Sequence, residues 1–107
     1  MERRKVVFSP EAAADLTSLY DYIAERSGAA RAIGYINRIE SYCRGFDLAA
    51  QRGHPRDDIR PGFRLVGFER RVAIAFHVEP KTVTIDRIFY GGRNVEDAFN
   101  VESDPER

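Results

Sequence analysis

Apolar positions along the chain change their period three times, and each change marks an element. A short β-rich run, "KVVF", comes first. Behind it "SPEAAADL" stacks helix-start signals: Ser9 as a side-chain cap, Pro10 at the first helical position, and Glu11 and Asp15 near the positive end of the dipole. Ala12, Leu16, Leu19 and Ile23 follow at spacings of four, three and four, the stripe of a helix lying on a core. Gly28 can take the left-handed cap and end it. A second stripe, Ala32, Ile36, Ile39, Cys43 and Phe46, repeats the spacing, so "ERSGAA" predicts a tight joint between two antiparallel helices. Gly34 lies inside the second helix at a cost of about 1 kcal/mol relative to alanine. It is expected to let the partner helix come close.

From Ala50 to Gly62 the sequence "AQRGHPRDDIRPG" has no period and two glycines and two prolines, which predicts a loop. Three further runs follow, "FRLVGF", "RVAIAFHV" and "VTIDRIFY". In the middle run Val72, Ile74, Phe76 and Val78 alternate with Arg71, Ala73, Ala75 and His77, the pattern of a strand with one strongly apolar face. The connections "FERR" and "EPKT" are short enough for hairpins, so the three strands are predicted to be antiparallel neighbours. The amphipathic helix pair is the available cover for their apolar face. The predicted fold is therefore α+β: an N-terminal strand, then an antiparallel helical hairpin packed on an antiparallel sheet, in the order β-α-α-β-β-β. The first strand joins an edge of that sheet, and periodicity leaves open which one.

A chain of 107 residues, 43% of them hydrophobic, supports one core, so residues 1–107 read as a single domain without repeats or a linker. Cys43 is the sole cysteine and cannot form an internal disulfide, and the N-terminal "MERRKVVFSP" lacks the apolar region of a secretory signal. No stretch approaches the roughly 20 apolar residues that span a bilayer. A cytoplasmic protein without membrane contact is expected. Zero net charge argues against indiscriminate binding to nucleic acid, and no sequence-specific binding is expected either. Locally the balance shifts: Arg52, Arg56, Arg60, Arg64, Arg70 and Arg71 outnumber Asp57, Asp58 and Glu69, whereas residues 94–107 form an acidic tail expected to fray. Only Lys5 and Lys81 of the 17 basic residues are lysines. Arginine suits bidentate grips on carboxylate or phosphate, although a genome rich in G and C gives the same bias.

Cofactor and metal motifs are missing from this pattern. His54, His77 and Cys43 have no ligand spacing, Ser9 is spent as a cap, Ser41 sits mid-helix, and "YGGRN" lacks the ending of a phosphate-binding loop. No metal and no cofactor are expected.

Four segments, "VVFSPEAAADLTSLYDYIAERSG", "RGHPRDDIRPGFR", "RVAIAFHVE" and "IFYGGRN", fall in an order and spacing that resembles the ParE branch of the RelE/ParE superfamily, the toxin halves of bacterial type II toxin–antitoxin pairs. The resemblance runs over nearly the whole chain. It implies a toxin held inactive by a cognate ParD-like antitoxin, whose flexible C-terminal segment folds against it. In the ParE branch the usual target is DNA gyrase, which the toxin poisons without catalysis of its own. The RelE branch instead cleaves mRNA on the ribosome, and a degenerate toxin would only bind its antitoxin. One fold carries all three, so the site must decide.

Metal-free RNA cleavage needs a base for the 2′-OH, an acid for the leaving oxygen and cations for the phosphorane charge. Arg64, His77, Arg87, Tyr90 and Arg93 are the candidates, a set thin in proton donors and acceptors. His77 alternates away from the Val72 to Val78 face and reads equally as a hydrogen-bonded surface residue. Tyr90 ends the last strand, where a phenol of pKa about 10 is a poor base. Arg93 follows a Gly-Gly turn and suits a carboxylate as well as a phosphate. Arg60, Arg64, Arg70 and Arg71 make either a solvated face or a surface for an acidic partner. Tyr20, Tyr22 and Phe68 are aromatic enough to anchor one. The residues thus favour holding over cutting: a binding surface drawn from Tyr20, Arg60, Arg64, Phe68, Arg70, Arg71, Tyr90 and Arg93, with Tyr90 and Arg93 as its main contacts.

Overall fold

A computed structural model describes residues 3–91. Strand β1 (Lys5–Phe8) leads into α1 (Pro10–Ser27) and α2 (Ala29–Arg44), and a 3-10 turn (Gly45–Asp47) follows. Strands β2 (His54–Pro55), β3 (Phe63–Phe68), β4 (Val72–Val78) and β5 (Thr82–Tyr90) complete the order. Together they form one five-stranded sheet, β1-β5-β4-β3-β2. The α+β architecture and the β3-β4-β5 meander follow the sequence pattern. β1 takes the β5 edge and runs parallel to it, which makes the sheet mixed. The expected loop of residues 50–62 contributes the two-residue β2, paired with β3.

Helix boundaries fall where the side chains dictate. Ser9 Oγ accepts the Ala12 amide hydrogen at 2.9 Å, and Pro10 opens α1. Gly28, at φ 93°, donates its amide to Ala24 O and is at once the last cap of α1 and the first of α2. A single left-handed residue makes the joint, a backbone that glycine adopts without steric cost. Gly34 does not bring the helices together, contrary to the expectation: a Cβ there would meet no atom within 4 Å. Ala12, Leu16 and Leu19 of α1 and Ile36, Ile39 and Cys43 of α2 are buried against Val72, Ile74, Phe76, Val83, Ile85 and Ile88, and Ala32 of α2 is buried as well. Phe46 lies in the 3-10 turn rather than in α2, and its ring packs against Phe76 at a tilt of 45°, with centroids 4.6 Å apart. Each fully buried side chain of this size contributes roughly 1.5–3 kcal/mol.

β5 carries an irregularity that sets up everything at its far end. Ala75 pairs with Arg87 and Phe76 with Ile85, so Asp86 is an extra residue, a β-bulge. The bulge resets the alternation, and Ile88 and Tyr90 face the helices as Val83 and Ile85 do before it. β1 stops at Phe8, leaving this part of the β5 edge without a strand partner. α1 supplies the missing partners instead: Ser9 donates its amide to Ile85 O and its hydroxyl to Asp86 O, and Asp15 Oδ2 accepts the Ile88 amide at 2.8 Å. The same carboxylate receives the Arg87 guanidinium, Nε to Oδ2 at 2.9 Å and Nη2 to Oδ1 at 3.2 Å. Asp15, read from sequence as a helix-dipole charge, is a clamp between helix and sheet.

Two glycines test this packing in opposite directions. Gly53, at φ 69°, runs so close to β3 that a Cβ would sit 2.0 Å from Leu65 O. Gly53→Ala is expected to lower stability by on the order of 2–4 kcal/mol in chemical denaturation. Gly34→Ala should raise it by about 1 kcal/mol, because only helix propensity changes.

Candidate functional site

Where α1 ends and α2 begins, the two helices diverge from the β3–β4 turn and leave an open groove of about 700 Å³. Tyr90 forms its floor, and its ring meets Tyr22 of α1 and Tyr35 of α2 edge-on, with centroids 5.6 and 6.1 Å apart. Arg26, one helical turn after Tyr22, lies over that ring at 3.8 Å, and Arg38 lies 5.0 Å over Tyr35. Arg31 of α2 and Arg71 from the turn complete the wall.

The turn itself is held in an uncommon backbone. Glu69 and Arg70 both adopt left-handed conformations, φ 50° and 70°. Arg38 fixes Glu69 with a two-pronged grip at 2.9 and 3.0 Å, which holds the Glu69 carboxyl below the usual range. Arg71 O in turn accepts the Gly91 amide, tying the end of β5 to this turn. Glu69 is the one acid among the described residues lining the groove, and it is spent on Arg38. Arg31 and Arg71 have no carboxylate partner among the described residues, so the groove is net positive. Burial pushes the Tyr35 phenol up, with Tyr90 adding to the effect. Tyr35 is therefore a neutral hydrogen-bond donor at physiological pH. Edge-packed phenols ringed by guanidinium groups can grip a carboxylate-rich or aromatic segment.

The structure divides the residues singled out from sequence among several places. Tyr90 and Arg71 meet in the groove, with Arg70 beside them in the exposed turn. Tyr20 lies on a different, apolar depression between α1 and α2, with Phe8, Leu16, Ile33 and Ile36. Phe68 packs against Tyr42 at 4.8 Å on the margin of the core. Arg64 turns back to the carbonyls of Arg52 and Gly53, at 2.7 and 3.3 Å, and braces the segment that leads into β2. Arg60 lies over the Phe63 ring on the opposite side of the sheet. Arg93 lies outside the described residues.

His77 and Tyr90 do not converge. Tyr90 pairs with Val72 at one end of β4, and His77 is five residues further along, roughly 17 Å at about 3.4 Å per residue. They also project from opposite faces, since Tyr90 packs with the helix-side core. His77 Nδ1 instead lies 2.8 Å from Asp86 Oδ2, a pairing that the strand pattern did not bring out. Desolvation by burial raises the Asp86 carboxyl above its ordinary value, with Glu11 adding to it, and outweighs the opposing His77 and Arg60.

Tyr35, Arg26, Arg31 and Arg38 were missed from sequence. Their signal was a polar row beside the apolar stripe, Tyr22 to Arg26 four apart, and Arg31, Tyr35 and Arg38 four and three apart. The bulge was also legible: Val83, Ile85, Ile88 and Tyr90 are spaced two, three and two. Among the described residues no group of three or more His, Cys, Asp and Glu side chains is placed to hold a metal ion, and no helix is long and apolar enough to cross a membrane.

Residues 6–95 match the family model described as the ParE toxin of the type II toxin–antitoxin system parDE. A solved chain of the chromosomal ParDE toxin–antitoxin system from P. aeruginosa superposes with a TM-score of 0.72 at 27% identity, over 82% of this chain and 96% of that one. YafQ from E. coli strain BL21(DE3) superposes with a TM-score of 0.48 at 15% identity, over 82% and 93% of the two chains. No curated protein matches the sequence significantly.

The Asp86 pairing has a pH signature. A carboxyl whose folded pKa is raised contributes stability below its unfolded pKa and loses it as pH climbs through the folded value. Against the wild type, Asp86→Asn should therefore gain relative stability as pH rises from the ordinary aspartate value of about 3.9 toward neutrality in denaturation curves. A constant difference across that range would show that Asp86 is ionised alike in both states.

Proposed function

Since the chain belongs to the ParE toxin family of type II toxin–antitoxin systems, we propose that it inhibits DNA gyrase by binding, without catalysis of its own, and that a cognate antitoxin neutralises it by direct contact. One observation carries this reading: the tyrosine–arginine groove is built to hold and has no free base among the described residues. Its phenols and guanidinium groups donate hydrogen bonds, and its one described acid is locked to Arg38. Removal of a 2′-OH proton needs an acceptor within about 3 Å of the reacting group. His77, the nearest residue type to that role in the strands, sits on the other face and is paired with Asp86.

A gyrase-directed toxin needs a rigid, desolvated anchor that recognises a protein surface, and aromatic side chains with arginine are the residue types that dominate such anchors. The groove's excess of cations suits an acidic segment, whether of the target or of an antitoxin that blocks it. The similarity to a chain of a ParDE system supports the antitoxin half of the reading.

Purified protein added to gyrase should inhibit supercoiling or accumulate cleaved-DNA complexes, and the double variant Tyr90→Ala/Arg71→Ala should weaken the effect by at least about tenfold, the loss of one aromatic and one charged anchor. Unimpaired gyrase would remove the proposed target. Cuts in mRNA within the ribosomal A site would replace it with the nuclease reading. Normal growth on expression without antitoxin, with folded protein present, would leave only antitoxin binding.

A further inference from the structure

The β3–β4 connection runs against its own sequence. Phe68 pairs with Val72, so Glu69, Arg70 and Arg71 make the link, and Glu69 and Arg70 have consecutive positive φ values of 50° and 70°. Two such residues in a row are what the primed hairpin turns require, and Asn-Gly, Asp-Gly and Gly-Gly are the pairs that supply them. Glu-Arg has neither a glycine nor a short polar side chain that bonds the local backbone, so both residues hold Cβ against a carbonyl oxygen at a steric cost. A backbone of this kind persists where its surroundings over-determine it, and such residues cluster at functional sites.

Here α2 does the determining. Arg38 grips both carboxylate oxygens of Glu69, the fork geometry in which an exposed ion pair contributes most, and Arg38 is itself seated over the Tyr35 ring. On the far side of the link Arg71 O accepts the Gly91 amide, one residue past Tyr90. One carboxylate thus ties α2 to the link, and the link ties to the end of β5. The charge of Glu69 argues in the other direction. Every other charged residue described in the groove wall is an arginine, and a carboxylate among them only weakens attraction for an acidic ligand. Its position, rather than its charge, accounts for its place there. We infer that Glu69 is a positioning residue for recognition: gripped by Arg38, it holds the link left-handed and so sets Arg71, and with it the Tyr90 end of β5, to receive a ligand. Arg31 and Arg71 are then the cations left for the ligand's carboxylate. The inference rests on the groove being the recognition site.

Two substitutions with the same loss of charge separate position from electrostatics in the full chain. Glu69→Ala removes the carboxylate and leaves a residue ill suited to positive φ, whereas Glu69→Asn removes it and supplies one that adopts this backbone readily. In gyrase supercoiling assays the half-inhibitory concentration of Glu69→Ala should rise about fivefold or more, and that of Glu69→Asn should stay within about twofold of the wild type. Solution NMR of the free chains reads the same arrangement without gyrase. Strong amide-to-Hα Overhauser effects within residues 69 and 70, the mark of positive φ, and protection of the Gly91 amide should persist in the wild type and in Glu69→Asn and be lost in Glu69→Ala. Equal potency of the two variants overturns the inference, as does a Glu69→Ala chain more potent than the wild type or one that keeps these signals. A wild type that leaves gyrase untouched removes the proposed target, and the NMR comparison still decides whether Glu69 positions the link.

Discussion

Backbone hydrogen bonding along one edge of β5 governs how this small domain is put together. β1 covers that edge only as far as Ile85, and every peptide group beyond it needs another partner. The N-terminal turns of α1 provide them, through the hydroxyl of Ser9 at Asp86 and the carboxylate of Asp15 at Ile88 and Arg87. Asp15 and Arg87 are mostly buried, with side chains 16% and 17% exposed. The fork between them is thus less screened than a surface pair, and removing one partner from such a site costs more than the pair contributes. The clamp fixes the helical hairpin against the sheet at the point where β5 bulges.

The bulge matters because a strand has a period of two. Without the extra residue, Phe89 would turn toward the helices and Tyr90 away from them. With it, Tyr90 reaches Tyr22 and Tyr35, and the groove acquires its aromatic floor. Arg38 then holds the left-handed β3–β4 turn through Glu69, which sets Arg71 on the rim. The chemical character of the groove is a consequence of these two fixings: preorganised rings and cations, with the local acid consumed. A surface of this kind is chemically suited to gripping an acidic or aromatic segment.

Much of the fold could be read from the residues because its signals are local. Ser9-Pro10 and Gly28 mark helix ends through their own side chains or lack of one, and the stripes of α1 and α2 each define a face without reference to the rest of the chain. β1's choice of edge was not local, since it depends on which strand has unpaired groups left. The site was less legible for the same reason. Arg60, Arg64, Arg70 and Arg71 are close in sequence, yet a turn and a change of face send them to different surroundings. The groove joins residues from both helices, the β3–β4 turn and β5, and Arg26, Arg31 and Arg38 looked like ordinary solvated charges on helices. Gly34 misled because a helical glycine suggests close approach, whereas here it lines the groove.

Solution NMR of Asp15→Ala tests the clamp directly. Its loss strands the Ile88 amide, a penalty of about 1–3 kcal/mol for a buried donor. The expected result is rapid exchange of that amide and loss of the ring contacts of Tyr90 with Tyr22 and Tyr35, while Phe46 and Phe76 stay packed. A folded Asp15→Ala chain that keeps Ile88 protected and Tyr90 seated between the two tyrosines would contradict the view that this carboxylate builds the groove.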